Sequence, residues 1–183
     1  RYEFYVRQGC GRVGGDMDCE RMSLGGDGVN RRILFLLRGT PGLGRVVAAA
    51  ELARALEESF RVESFFVTYA NGRLYLDALH APCAVQVDRQ DVMSLGIQPV
   101  SVSAERILQF VKKQRIDCVV VDGEPLMAIA VKVGLPRVPI VSIMNPSDYR
   151  NSELPASTVA FFRFCYGHSD YRVVHGLERI ASR

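Results

Sequence analysis

Short apolar runs alternate along this chain with stretches in which apolar side chains return every three or four positions. The runs lie at 32–37, 62–69, 84–87, 118–122, 139–143 and 171–174. Their length and their Val, Ile and Phe content predict strands. Between them, Val46, Ala49, Ala50, Ala53 and Leu56 fall at i, i+3, i+4, i+7 and i+10, one stripe of a helix. Ala104, Ile107, Leu108 and Val111 repeat the first four of these spacings. Ser103 is placed to cap that second helix, with Glu105 in its first turn and Lys112 and Lys113 near its end, each sign matching the helix dipole. A third helix is predicted from Pro125 to Val133, because Pro is tolerated in a first turn and Gly134 stops the helix. A fourth is predicted over 157–166.

Strands alternating with amphipathic helices form right-handed βαβ units. The expected fold class is therefore α/β, an open, mostly parallel, Rossmann-like sheet with helices on both faces in a single domain. Ligands of such sheets bind beyond the carboxyl ends of the strands. That rule selects four loops: Gly39-Thr40-Pro41-Gly42-Leu43-Gly44-Arg45 after the first predicted strand, Asp122-Gly123-Glu124-Pro125 after the fourth, Asn145 after the fifth and His175 after the sixth. A glycine-rich turn entering a helix offers backbone N–H groups and the positive end of a dipole to a ligand.

Composition trims the range of functions. Residues 1–28 hold seven of the sixteen glycines and show no period, so they are expected to be a disordered tail preceding a domain over 29–183. Met22 is a candidate true start. The net charge is +3, and 20 of the 23 basic residues are Arg spread without clusters, which argues against a nucleic-acid partner. The five cysteines form no C-x-x-C pair, so neither a disulfide framework nor a zinc site is expected, and no metal. No apolar run reaches the roughly 18 residues of a membrane span, so a cytoplasmic protein is expected, with peripheral contact with a membrane left open.

Three familiar chemistries fail on their motifs. The glycines read Gly39-x-x-Gly42-x-Gly44 rather than G-x-G-x-x-G, and no carboxylate closes the second strand, so a dinucleotide site is disfavoured. No Gly-Lys-Ser/Thr closes the turn as a P-loop requires, and no G-x-S-x-G elbow serves a serine hydrolase.

The segment Asp122-Gly123-Glu124-Pro125-Leu126-Met127-Ala128-Ile129-Ala130, followed by Val138-Pro139-Ile140-Val141-Ser142-Ile143-Met144-Asn145, is more distinctive. It resembles a stretch in the amino-terminal half of glycosyltransferases with the two-Rossmann B fold, in particular the group of the peptidoglycan lipid-linked N-acetylglucosaminyltransferase. Gly42-Leu43-Gly44-Arg45 and the small-residue helix after it are similar to that family's first glycine-rich loop. The resemblance spans about residues 31–178. It implies an acceptor-side domain that works with a second Rossmann domain or subunit, a nucleotide-sugar donor, a hydroxyl acceptor that in this group is lipid-linked, and no other cofactor. Gly42, Leu43, Gly44, Asn145 and His175 become candidate substrate-binding residues, and Glu124, Asp122 and Arg45 candidate catalytic ones.

The chain departs from the family twice. The family's loop commonly carries His where Arg45 stands; a guanidinium cannot serve as a general base, but it can neutralise a diphosphate or carboxylate. The chain also ends at Arg183, where the linker to the second domain is expected, so a fragment or one chain of a two-subunit transferase is anticipated. Bland readings stand beside these. Asp122 and Glu124 suit a helix N-cap and first turn, Asn145 suits a turn before Pro146, and Arg45 suits a surface position on its helix. His80 and His168 read as ordinary half-exposed residues. Phe161, Phe162, Phe164 and Tyr166 cannot all face one side of a helix, and packing is preferred over a lipid-acceptor surface. Two rival functions remain, a noncatalytic binding or anchoring subunit and one half of a nucleotide-sugar hydrolase.

Overall fold

The computed structural model describes residues 6–8, 30–39, 42–81, 83–85, 87, 97–145 and 153–174. Five strands run parallel. They are β2 (Arg31–Leu37), β3 (Val62–Val67), β4 (Cys118–Asp122), β5 (Ile140–Met144) and β6 (Tyr171–Val174). A sixth, β1 (Val6–Gln8), pairs antiparallel with β6 at one edge, giving the order β1-β6-β5-β4-β2-β3. It lies within the segment read as a tail without strand period; the unpaired side of β6 supplies the backbone partners that local sequence does not advertise. Cys10, Cys19 and the remainder of that segment lie outside the described residues.

The helices are α1 (Gly44–Ser59), α2 (Asn71–Ala78), α3 (Ile97–Gln114), α4 (Pro125–Gly134) and α5 (Ala156–Gly167). They cover both faces of the sheet, and strand alternation decides which residues each face receives. Phe35, Leu37 and Val120 point to one face and bury Val46, Ala49 and Ala53 of α1 with Leu76 of α2. Leu34, Leu36, Val119 and Val121 point to the other, against Ile107 and Val111 of α3 and Met127, Ala128 and Val131 of α4. Asp170, just before β6, accepts from Lys132 Nζ at 2.6 Å and from the Ile140 N–H at 2.9 Å, tying α4 to two strands.

Two local expectations are corrected, one helix has no counterpart among them, and the aromatic group divides as its spacing requires. The helix expected to begin at Ser103 begins at Ile97, with Pro99 in a first turn that tolerates it. Ser103 is thus a fully buried interior residue whose hydroxyl meets no partner among the described residues, not a cap. Ala84, Val85 and Val87 are not strand, although the Ala84 N–H donates to Phe66 O at 2.7 Å. The helix α2 carries no apolar stripe and was not expected; Leu76 alone anchors it fully. The aromatic group of α5 divides, Tyr166 being buried and stacked on Phe162 while Phe161 and Phe164 are exposed.

The β3 edge is covered by its own chain. The Ser64 N–H donates to Glu57 Oε1 of α1 at 3.1 Å, two residues before the Phe66 carbonyl that receives Ala84.

Candidate functional site

The register sets the carboxyl ends of the strands level with one another. Leu36 stands beside Val67, Leu37 beside Asp122, Asp122 beside Ile143, and Met144 beside Val174. The segments leaving β2, β3, β4 and β5 therefore meet along one rim, as the topology rule requires.

Beyond β2, the Arg38 N–H donates to Asp122 O at 3.0 Å, extending the ladder by one bond. At Gly39 a Cβ would lie 1.9 Å from Tyr69 O, so the neighbouring backbone leaves room for glycine only. Gly42 and Gly44 are different: a Cβ on either would meet nothing within 4 Å. Packing does not demand glycine there, and the space in front of the turn is open. Thr40 and Pro41 lie outside the described residues. Leu43 is the N-cap of α1 and supplies no side-chain cap, nor does the first turn carry an acid. No side chain of the cap or first turn therefore answers the leading N–H groups of this sixteen-residue helix.

Arg45, the second residue of α1, forms an ion pair with Asp122 at the end of β4. Asp122 is 3% exposed, and it reaches α1 because it shares the sheet face of Val120. The N-cap reading of Asp122 is replaced by this pair; the helix it was to cap has Glu124 at its N-cap position, and Glu124 makes no cap bond either.

Glu124 is turned toward a different hydrogen-bond partner from Asp122 by the intervening glycine. Gly123 has φ +79°, a left-handed conformation that breaks the strand alternation. A Cβ there would also lie 2.9 Å from Arg38 Cβ and 3.0 Å from Arg45 Cδ, so the two arginines flank this residue closely. Glu124, 5% exposed, accepts a 2.8 Å hydrogen bond from the Tyr69 hydroxyl. Burial pushes its carboxyl up to about 7; the Tyr69 bond and the charges of Arg38 and Arg45 act in the opposite direction without offsetting it.

The structure thus brings Arg45, Asp122 and Glu124 into one cluster, with Gly42, Leu43 and Gly44 at the adjoining helix mouth. Asn145, half-buried, follows β5 on the next strand. His175 lies outside the described residues. Two residues were missed, Arg38 and Tyr69. Both stand just past the carboxyl end of a strand, so the rule that selected the other loops reaches them as well. Among the described residues no three His, Cys, Asp or Glu side chains are grouped to hold a metal ion, and no helix is long and apolar enough to cross a membrane.

No protein-family model matches the chain, and no curated protein matches it by sequence. Solved structures do match. Acinetobacter baumannii MurG is similar over 73% of this chain, with a TM-score of 0.52 and 15% identity. The S. aureus MnaA–UDP co-structure is similar over 78%, with a TM-score of 0.57 and 16% identity. UDP-GlcNAc 2-epimerase from Neisseria meningitidis, bound to UDP-GlcNAc, is similar over 75%, with a TM-score of 0.54 and 16% identity. The chain spans 39%, 37% and 38% of these structures' own lengths, under half in each case. At such identities the likeness establishes the fold, a single Rossmann-like domain of the two-Rossmann B-fold type.

Proposed function

We propose that this chain is the acceptor-side domain of a glycosyltransferase, moving a sugar from a nucleotide-sugar donor to a hydroxyl acceptor together with a second Rossmann domain. The observation that carries the reading is Glu124, a buried carboxyl at the crevice rim, held by Tyr69 and titrating at about 7. A group with that midpoint takes and returns a proton readily at neutral pH. The nucleotide-sugar class is supported by two of the similar structures, one solved with UDP and one with UDP-GlcNAc.

In this reading Glu124 removes the acceptor hydroxyl proton as the acceptor oxygen bonds to the anomeric carbon. The bond from that carbon to the diphosphate oxygen breaks, and the nucleoside diphosphate leaves with the electron pair. Gly42, Leu43 and Gly44 offer backbone donors to the bound group, and Asn145 and His175 are assigned to hydrogen bonds with sugar or acceptor. Asp122 fixes Arg45 at the helix mouth, where the guanidinium opposes developing negative charge. The second domain holds most of the nucleotide, and the acceptor of this reading is lipid-linked, presented at a cytoplasmic membrane surface.

A transfer assay on the full-length gene product, run from pH 5 to 9 with and without Glu124→Gln, tests this. Loss of turnover of about a hundredfold or more in the variant is expected. Donor consumption without an acceptor would indicate a hydrolase, binding without turnover a noncatalytic subunit, and neither binding nor turnover would end the nucleotide-sugar reading.

A further inference from the structure

We propose that the Arg38 guanidinium is an oxyanion-binding group of the crevice, taking phosphoryl oxygens of the ligand. Arg38 leaves the end of β2, which lies between β3, followed by Tyr69, and β4, ending in Asp122. Its backbone N–H is used by Asp122 O, which fixes the base of the side chain. Its Nε is buried and meets no acceptor among the described residues. A buried guanidinium N–H without an acceptor is costly, and native structures rarely tolerate one without a reason.

The nearby carboxylates are already engaged. Asp122 is paired with Arg45, and Glu124 accepts from the Tyr69 hydroxyl. The side chains of Arg38 and Arg45 both lie beside Gly123, where a Cβ would lie 2.9 Å from Arg38 Cβ and 3.0 Å from Arg45 Cδ. Both charges also reach Glu124; while burial keeps that carboxyl protonated, Asp122 is, among the described residues, the one ionised carboxylate facing the two arginines, and this part of the rim favours negative charge. Guanidinium forks bind phosphate through two parallel N–H donors, a geometry an ammonium cannot offer. The class of ligand follows the nucleotide-sugar reading; the position of the site follows from Arg38 itself.

Inorganic pyrophosphate is the probe, titrated into the full chain while the Arg38 Nε–H resonance is followed by NMR. Saturable movement of that resonance is expected, with uridine, which lacks phosphate, causing none. Arg38→Gln should weaken pyrophosphate binding roughly tenfold or more, and Arg38→Lys should weaken it by a few-fold, because charge remains and the fork is lost. An Nε resonance that stays still, or affinities unchanged in both folded variants, overturns the proposal. If the variants fail to fold, the wild-type titration decides. Pyrophosphate bound through Arg38 in a protein that transfers no sugar would sink the transferase reading and leave this site standing; transfer that depends on Glu124, with pyrophosphate indifferent to Arg38, would do the reverse.

Discussion

The Tyr69 hydroxyl donates to Glu124 Oε1 at 2.8 Å although the strands that carry the two residues are not neighbours. Tyr69 follows β3 and Glu124 follows β4, and β2 lies between them. The bond therefore passes over the end of β2, next to Arg38 and Gly39, and joins three strand ends into one rim. Tyr69 is 1% exposed, so its ring is fixed by the core and its hydroxyl meets Glu124 beneath the surface of the rim.

Removing that donor should push the Glu124 carboxyl further up. Tyr69→Phe takes away a bond that favours the ionised form, and the midpoint should rise from about 7 by about one pH unit. A carboxyl NMR titration of the two proteins reads this directly. An unchanged midpoint would mean that the hydroxyl does not hold Glu124 in solution.

Stability should carry the same signature. The folded-state value of about 7 lies above the ordinary 4.5, so the folded chain keeps a proton that the unfolded chain releases. The contribution of Glu124 is most favourable below pH 4.5 and is lost as the pH climbs to about 7, a change on the order of 3 kcal/mol. Denaturant unfolding of the wild type and of Glu124→Gln, compared across this window, isolates the effect. The difference between them should favour the variant increasingly toward pH 7 and then level off.

The Arg45–Asp122 pair predicts a strong coupling. Asp122→Ala leaves a largely buried guanidinium without its carboxylate and should cost about 3 kcal/mol or more. The double variant Arg45→Ala, Asp122→Ala should be less destabilised than the sum of the single changes by about 2 kcal/mol. Additive losses in the cycle would show that the pair is not energetically linked. Arg45→His in the full-length protein tests the loop separately, since unchanged transfer would remove Arg45 from the proposed catalytic group.

The glycines of the loop should separate into two kinds. Gly39→Ala drives a methyl group into the Tyr69 carbonyl and should cost about 3 kcal/mol or prevent folding. Gly42→Ala meets open space and should change stability by less than about 0.5 kcal/mol. If the turn faces a ligand, Gly42→Ala will instead weaken nucleotide-sugar or acceptor binding, which calorimetry on the same sample measures.

The architecture was legible because periodicity is a local property. Val46 to Leu56 and Ala104 to Val111 print their buried faces at helical spacing, and 118–122 and 171–174 are runs too short and apolar to be much else. What escaped depends on partners far away in sequence. Whether 84–87 becomes a strand depends on the edge of β3, and β1 exists only where β6 offers a side. In the site, Asp122, Glu124 and Arg45 were visible as residue types in the right loops. That Asp122 turns to Arg45 while Glu124 turns to Tyr69 was not, because a single left-handed residue, Gly123, reverses the alternation between them. The predicted strand 62–69 takes in Tyr69, whereas β3 ends at Val67, two residues earlier; Arg38 lies between the predicted strand 32–37 and the glycine-rich loop and falls in neither.

The cover over β3 bears on how this chain behaves when crowded. A bare sheet edge is a template on which a strand of another molecule can build. Here the Ser64 N–H is occupied by the Glu57 carboxylate and the Phe66 carbonyl by Ala84. An incoming strand would have to displace both while passing a negative charge. Glu57 therefore places a charge and an occupied N–H where a strand pairing beside Phe65-Phe66 would have to dock, a consequence unconnected with any ligand.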